Sequence, residues 1–385
     1  MRENAVTEST AGTLKNGRRY YKAFDAIKGI VIFMVCICGH YWQFSPGKYW
    51  NSGAKAGVAV TNWFIHSGFR TYTCMELLFV LSGFQMYGAY LRIKERQEKF
   101  PKYILKKIIR IFPMTVLSTV LMIIGMKVYE GMNGTLWYNM PVNATNILRN
   151  LLNVQAWFET LHSLNGPLWY VSVYFFCLLI FYPLALILRM IPYGQWLMIL
   201  PAVFGYFIYG KNYHYFLINN DMARGYLGFF YGVTLAAFCE VLSMIKKEKV
   251  RNAVNRIAFV MLVTGLIIRL GFYDSVYKTS SINQVRISLL LLITPVVILI
   301  SQNDIFDKIL GGPVLTGLGR ISFAIYTMNF PVYIWTVILE KKLGLTFNWE
   351  HFSMFWILTA VQIFVAALIY NFYEKPIYSL ARKLK

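Results

Sequence analysis

Apolar runs of about 20 residues recur along almost the whole chain, broken by short basic stretches, and no other feature narrows the possible folds so far. A helical run of that length matches the hydrocarbon thickness of a bilayer, and a helix satisfies its backbone polar groups internally. Windows of about 19 residues place ten spans, at 24–44, 71–91, 111–129, 168–190, 194–209, 223–244, 253–272, 283–301, 313–339 and 354–374. The expected fold is all-α: a polytopic integral membrane protein with about ten transmembrane helices. Charged residues make up only 14% of the chain, against roughly 25% in soluble domains.

The net charge of +21 raises the question of nucleic acid. Lys and Arg sit in the connections between apolar runs, not on a basic face interleaved with aromatics, so no nucleic-acid partner is expected and the charge reads as membrane topology. The densest basic blocks lie near residue 20, at 92–110 and at 246–256. With these inside, both termini are cytoplasmic, and 45–70, 130–167, 210–222, 273–282 and 340–353 lie outside. Residues 1–19 are polar and show no signal peptide, so the first apolar segment is expected to be retained. Cys36, Cys38, Cys74, Cys177 and Cys239 all fall within apolar runs. They offer neither a disulfide framework nor metal-ligand spacing and read as packing residues, so no metal is expected.

A polar residue at mid-bilayer costs roughly 2.5–3.5 kcal/mol on insertion scales and needs a partner, a watery cavity or a function. Asp25, Lys28 and His40 stand out in the first span, and Glu76, Ser82 and Gln85 in the second. Arg110, Asn165, Arg224, Arg269, Arg320 and Asn329 follow. Snorkelling to the interface is an alternative reading for Lys28, Arg110, Arg224 and Arg320, as membership of an aromatic belt with Tyr41 and Trp42 is for His40. Glu76 is too short to snorkel and should face the bundle interior or the outer water layer. Asp25, three residues before Lys28, reads as its local partner.

These polar positions fall in an ordered series of motifs. FDAIKGIVIFMVCICGHYW at 24–42 resembles the first-helix signature of the acyltransferase family 3 membrane proteins, and MELLFVLSGFQMY at 75–87 their second-helix motif. KKIIRIFP at 106–113, NGPLWYVSVYFF at 165–176, ARGYLGFFYGVTLA at 223–236, LGRISFAIYTMNFPVY at 318–333 and YEKP at 373–376 are similar to later motifs of that family. The series runs in order over about 350 residues. Two positions depart from the pattern. The family usually has Arg eleven positions before the histidine, whereas Lys28 stands twelve before His40; on an ideal helix that leaves the pair about 120° apart, so Lys28 takes the arginine's place only if the helix carries a bulge. Asn329 stands where the family commonly has a histidine, which argues against an acid–base role there.

The resemblance implies transfer of an acyl group, usually acetyl, from cytoplasmic acyl-coenzyme A to a hydroxyl of an extracytoplasmic or lipid-linked carbohydrate. Acyl-coenzyme A is then a co-substrate and no tightly bound cofactor is expected. The expected partners are this donor, a carbohydrate or glycolipid acceptor and the lipid bilayer, with room for a separate extracytoplasmic acyl-accepting partner. The expected setting is the bacterial cell membrane. The implied organisation is a cytoplasmic segment at 1–23, a transmembrane acyltransferase domain at 24–374 and a cytoplasmic tail at 375–385. A hydroxyl needs its proton removed as it attacks, and histidine suits that task, so His40 is the expected general base with Glu76 on the next helix as its support. Lys28, Arg110, Arg224 and Arg320 are expected donor-binding cations, and Ser82, Asn165, Trp169 and Tyr326 cavity-shaping residues. The competing reading is a proton-coupled small-molecule transporter, against which no half-to-half repeat is visible. A scaffold or sensor would leave the ordered polar motifs without purpose.

Overall fold

The computed structural model describes residues 14–15, 18–19, 21–41, 71–137, 140–158, 163–272, 281–349 and 352–383. Trp42, His66, His162, His351 and the 45–70 segment lie outside the described residues. The described chain is helical almost throughout. Helix α1 (Lys22–Ile32) continues as wide π turns over Phe33–Gly39. It is followed by α2 (Thr71–Lys94), α3 (Phe100–Asn133), α4 (Trp169–Leu188), α5 (Leu200–Ile208) and α6 (Asn220–Met244). The chain then forms α7 (Glu248–Gly271), α8 (Asn283–Gln302), α9 (Pro313–Lys342) and α10 (Phe352–Ile369), and ends in α11 (Lys375–Lys383).

Among the described residues, each of the ten apolar runs falls on a helix. Among the described residues, eight helices are long and apolar enough to cross a membrane: α2, α3, α4, α6, α7, α8, α9 and α10. The 194–209 run forms a shorter apolar helix entered through Tyr193, whose φ of 57° breaks the chain direction, and α1 carries Lys22, Asp25 and Lys28 in its first turns. The exposed faces of the crossing helices are apolar, as with Phe259, Val260, Ile267 and Leu270 of α7. Such a surface belongs in hydrocarbon, and the chain is a multi-pass integral membrane protein.

Two compact units divide these helices, and the chain passes between them within α1, α6 and α9. The first unit comprises residues 1–31 and 238–322. In it the N-terminus of α1 is capped from a distance, by the Asp307 carboxylate accepting the Ala23 N–H at 2.7 Å. The Lys28–Gly29 and Leu318–Gly319–Arg320 motifs mark a helix crossing: a Cβ on Gly29 would lie 2.6 Å from the Gly319 nitrogen, and one on Gly319 would lie 2.0 Å from the Asp25 carbonyl oxygen.

The second unit comprises residues 32–237 and 323–385. Its centre is α2, pressed against α6 through another reciprocal contact. A Cβ on Gly83 would meet the Phe229 carbonyl oxygen at 1.8 Å, and one on Gly232 would meet that of Val80 at 2.1 Å. Without a hydrophobic drive between helices in lipid, such close backbone approach supplies the packing. The Asn-rich segment before α4 is held by side-chain amides, two of its own and one from the start of α6. Asn143 caps the short helix Ala144–Leu151 through the Asn146 N–H at 2.9 Å, Asn150 accepts from the Leu164 N–H at 2.9 Å, and Asn219 donates to the Ala156 carbonyl at 3.0 Å. This scaffold places the turn Asn165–Gly166–Pro167 at the start of α4.

Candidate active site

His40 stands at the end of the π turns of the first helix, half-buried. Its backbone N–H bonds the Val35 carbonyl, five residues back, instead of the Cys36 carbonyl that an α-helix would supply. The ring lies edge-on to Phe330, with centroids 5.2 Å apart, and its Nδ1 is 2.7 Å from Asn329 Oδ1. Asn329 Nδ2 in turn donates to the Cys36 carbonyl at 2.9 Å and to Gln362 Oε1 at 2.8 Å. Asn329 and Gln362 are buried, whereas His40 Nε2 has no hydrogen-bond partner among the described residues.

Glu76 does not hold His40. Its carboxylate, fully buried, accepts from Arg224 Nε at 2.7 Å, and the Arg224 guanidinium stacks over the Trp169 ring at 4.7 Å. The expectation rested on Glu76 lying on the next helix, and that leaves rotation about each axis open. Arg224 is buried as well and needs a counter-charge, which Glu76 provides. The support of the imidazole comes instead from Asn329, at the position where a histidine was expected.

Most of the remaining sequence candidates join this centre through α9. Asn165 Nδ2 donates to the Thr327 carbonyl at 2.9 Å, and the Tyr326 hydroxyl donates to the Pro167 carbonyl. Ser82 Oγ is 3.0 Å from the Tyr170 hydroxyl, and the Tyr170 ring meets Tyr326 edge-on at 5.9 Å. Trp169 packs against Phe79 and Tyr170. Tyr326, Thr327, Asn329 and Phe330 lie within five residues of one helix, so the α9 motif gathers Asn165, Trp169, Ser82 and Arg224 into a network continuous with His40.

Three cations remain. Arg110 stacks over Tyr378 of α11 at 5.7 Å, and the Tyr373 hydroxyl donates to the Pro113 carbonyl at 3.3 Å, which ties the KKIIRIFP and YEKP motifs together. In the first unit Lys28 pairs with Asp25 at 3.6 Å, as the spacing suggested, and Arg320 is exposed. The 120° offset expected between Lys28 and His40 assumed an unbroken α-helix. The π turns at Phe33–Gly39 invalidate that count, because each takes up an extra residue.

Among the described residues, no group of three or more His, Cys, Asp and Glu could hold a metal ion, and all five cysteines are buried, as packing residues are. His214 is exposed in a short hairpin. Sequence reasoning missed Gln362 and Tyr170. Gln362 carried a signal, because an amide inside the run VQIFVAALI is as costly as the polar residues that were singled out. Tyr170 carried none, being one of 27 tyrosines.

A family model described as an acyltransferase domain matches residues 21–371. No curated protein and no solved structure matches the chain.

Proposed function

Starting from a chain that belongs to the acyltransferase family 3 membrane proteins, and is thus a membrane acyltransferase, we propose that it carries an acyl group from acyl-coenzyme A to a hydroxyl of a carbohydrate or glycolipid acceptor, with His40 as general base. The observation that carries the reading is the anchored imidazole. One ring nitrogen is bonded within the protein at 2.7 Å, and the other has no protein partner among the described residues.

In this reading the acceptor oxygen attacks the thioester carbonyl carbon while its proton passes to His40 Nε2. The carbon–sulfur bond then breaks, and the departing thiolate takes the proton back from the imidazolium. Asn329 accepts from Nδ1–H throughout. It stabilises the imidazolium by its dipole alone, less strongly than the carboxylate of a Ser-His-Asp triad would. The acetyl group as cargo, the cytoplasmic arrival of the donor and the bacterial cell membrane as its setting belong to the same proposal. Lys28, Arg110 and Arg320 are its donor-binding cations, because Lys and Arg are what a phosphate-rich donor requires. Arg224, committed to Glu76 and Trp169, acts by holding Trp169.

The test is acceptor-dependent thioester cleavage by purified protein in micelles, with acetyl-coenzyme A as donor and surface glycans as acceptors. His40→Ala should lose roughly 10²–10⁴-fold in kcat with donor affinity unchanged. Retention of more than about a third of wild-type kcat would remove His40 from the chemistry. Mass spectrometry of surface glycans and lipids with and without the protein should show a lost acetyl group.

A further inference from the structure

The hydrogen bonds around Asn329 determine which nitrogen of His40 carries the proton. A side-chain amide can be turned end for end, and a neutral imidazole can hold its proton on either nitrogen, so neither group by itself has a fixed polarity. A backbone carbonyl does, because it only accepts. The Cys36 carbonyl, 2.9 Å from the Asn329 amide, therefore requires that its neighbour be Nδ2. Oδ1 must then face His40 Nδ1, and at 2.7 Å it needs a donor there. The second Nδ2 hydrogen goes to Gln362 Oε1 at 2.8 Å. Turning Asn329 over would set acceptor against acceptor at Cys36 and, unless Gln362 turned as well, at Gln362.

The Cys36 carbonyl is available for this because the helix is wound wide. In an α-helix the His40 N–H would bond it; here that N–H reaches Val35 instead. Gln362 supplies the second indication. Its Nε2 is buried and has no hydrogen-bond partner among the described residues. An unsatisfied buried amide is normally removed by turning the group over, but that would point Nε2 at Asn329 Nδ2, donor against donor. The side chain is held in the less satisfied orientation by the chain of bonds it terminates.

We propose that the π turns, Asn329 and Gln362 form a tautomer lock: the freed Cys36 carbonyl orients Asn329, Gln362 holds it, and Asn329 keeps the proton of neutral His40 on Nδ1. Nε2 is thereby left as the basic nitrogen. Asn329 and Gln362 are positioning residues. The assignment of Nε2 as the working base rests on the reading of His40 given above, but the lock itself does not.

The experiment is nitrogen-15 NMR of the full-length protein labelled at histidine, in micelles, at a pH where His40 is neutral, with the His40 signals identified by their loss in His40→Gln. Nδ1 should appear as the protonated nitrogen and Nε2 as the bare one. Asn329→Leu, which removes the acceptor facing Nδ1 and keeps the bulk, should give a mixture of tautomers. Its kcat should fall by about tenfold at unchanged KM, the factor set by one hydrogen bond of ordinary net strength. Asn329→Asp keeps an acceptor oxygen and should restore the single tautomer. A bare Nδ1 in the wild-type protein overturns the lock, as does an unchanged tautomer in Asn329→Leu. If the tautomer is lost in Asn329→Leu while kcat stays at the wild-type value, the lock stands and the assignment of His40 as base falls.

Discussion

Separating Glu76 from Arg224 is the most direct test of how the buried charges are arranged. The Nε–Oε1 distance is 2.7 Å, and the side chains are only 1% and 9% exposed. At an effective dielectric constant near 20, unit charges at that separation attract by about 6 kcal/mol. Much of this offsets the desolvation of both ions, so the pair adds little to net stability compared with an apolar pair of the same shape. Glu76 Oε2, buried without a hydrogen-bond partner among the described residues, lowers the net further. Breaking the pair is a different matter. Glu76→Gln leaves a buried guanidinium and Arg224→Met a buried carboxylate, each expected to cost about 3–5 kcal/mol. Arg224→Met also removes the cation from the Trp169 face, worth up to about 2 kcal/mol when desolvated. The double variant should lose less than the two single losses added together, with a coupling of about 2–3 kcal/mol. Equilibrium unfolding in mixed micelles, titrated with SDS, measures all three. Single losses below about 1 kcal/mol, or losses that simply add, would refute the pairing and reopen Glu76 as a partner of His40.

Gly83→Ala drives a Cβ into the Phe229 backbone, which cannot turn aside, so α2 and α6 must separate; a loss of about 1–3 kcal/mol or more is expected in the same unfolding assay. Gly166→Ala instead meets the Phe330 ring at 2.3 Å, and that ring can move. The displaced ring lies edge-on to His40, so kcat is expected to fall on the order of 10–100-fold with little change in stability. Lys28→Ala is expected to raise the KM for acetyl-coenzyme A more than it lowers kcat, as steady-state kinetics will show. An impermeant thiol reagent applied to intact cells should modify a cysteine introduced at exposed Asn143 and spare one at exposed Gln97; the reverse pattern would invert the placement of donor and acceptor.

Hydrophobic patterning was enough to find the class of this protein and the helices of its apolar runs, because bilayer thickness dictates the length and composition of a crossing helix locally, whereas the polar helices Ala144–Leu151 and Lys375–Lys383 carried no such signal. The ordered motifs were likewise legible, and a family model matches residues 21–371. Charge spacing along one helix was legible too, as with Asp25 and Lys28. What could not be read was which polar residues of different helices face each other. That depends on the rotation of each helix about its axis, and close approaches such as Gly83 to Phe229 and Gly232 to Val80 determine it only once the helices are packed. Glu76 thus went to Arg224 and not to His40. The exchange of one helical turn for a wider one was open in the sequence only as a condition on the Lys28–His40 spacing. The twelve-residue spacing and the asparagine at 329 looked like unrelated departures, yet both act at the Cys36 carbonyl, which the π turns expose and Asn329 occupies. A carbonyl has no letter in a sequence, so its part in orienting His40 could be decided only by the tertiary structure.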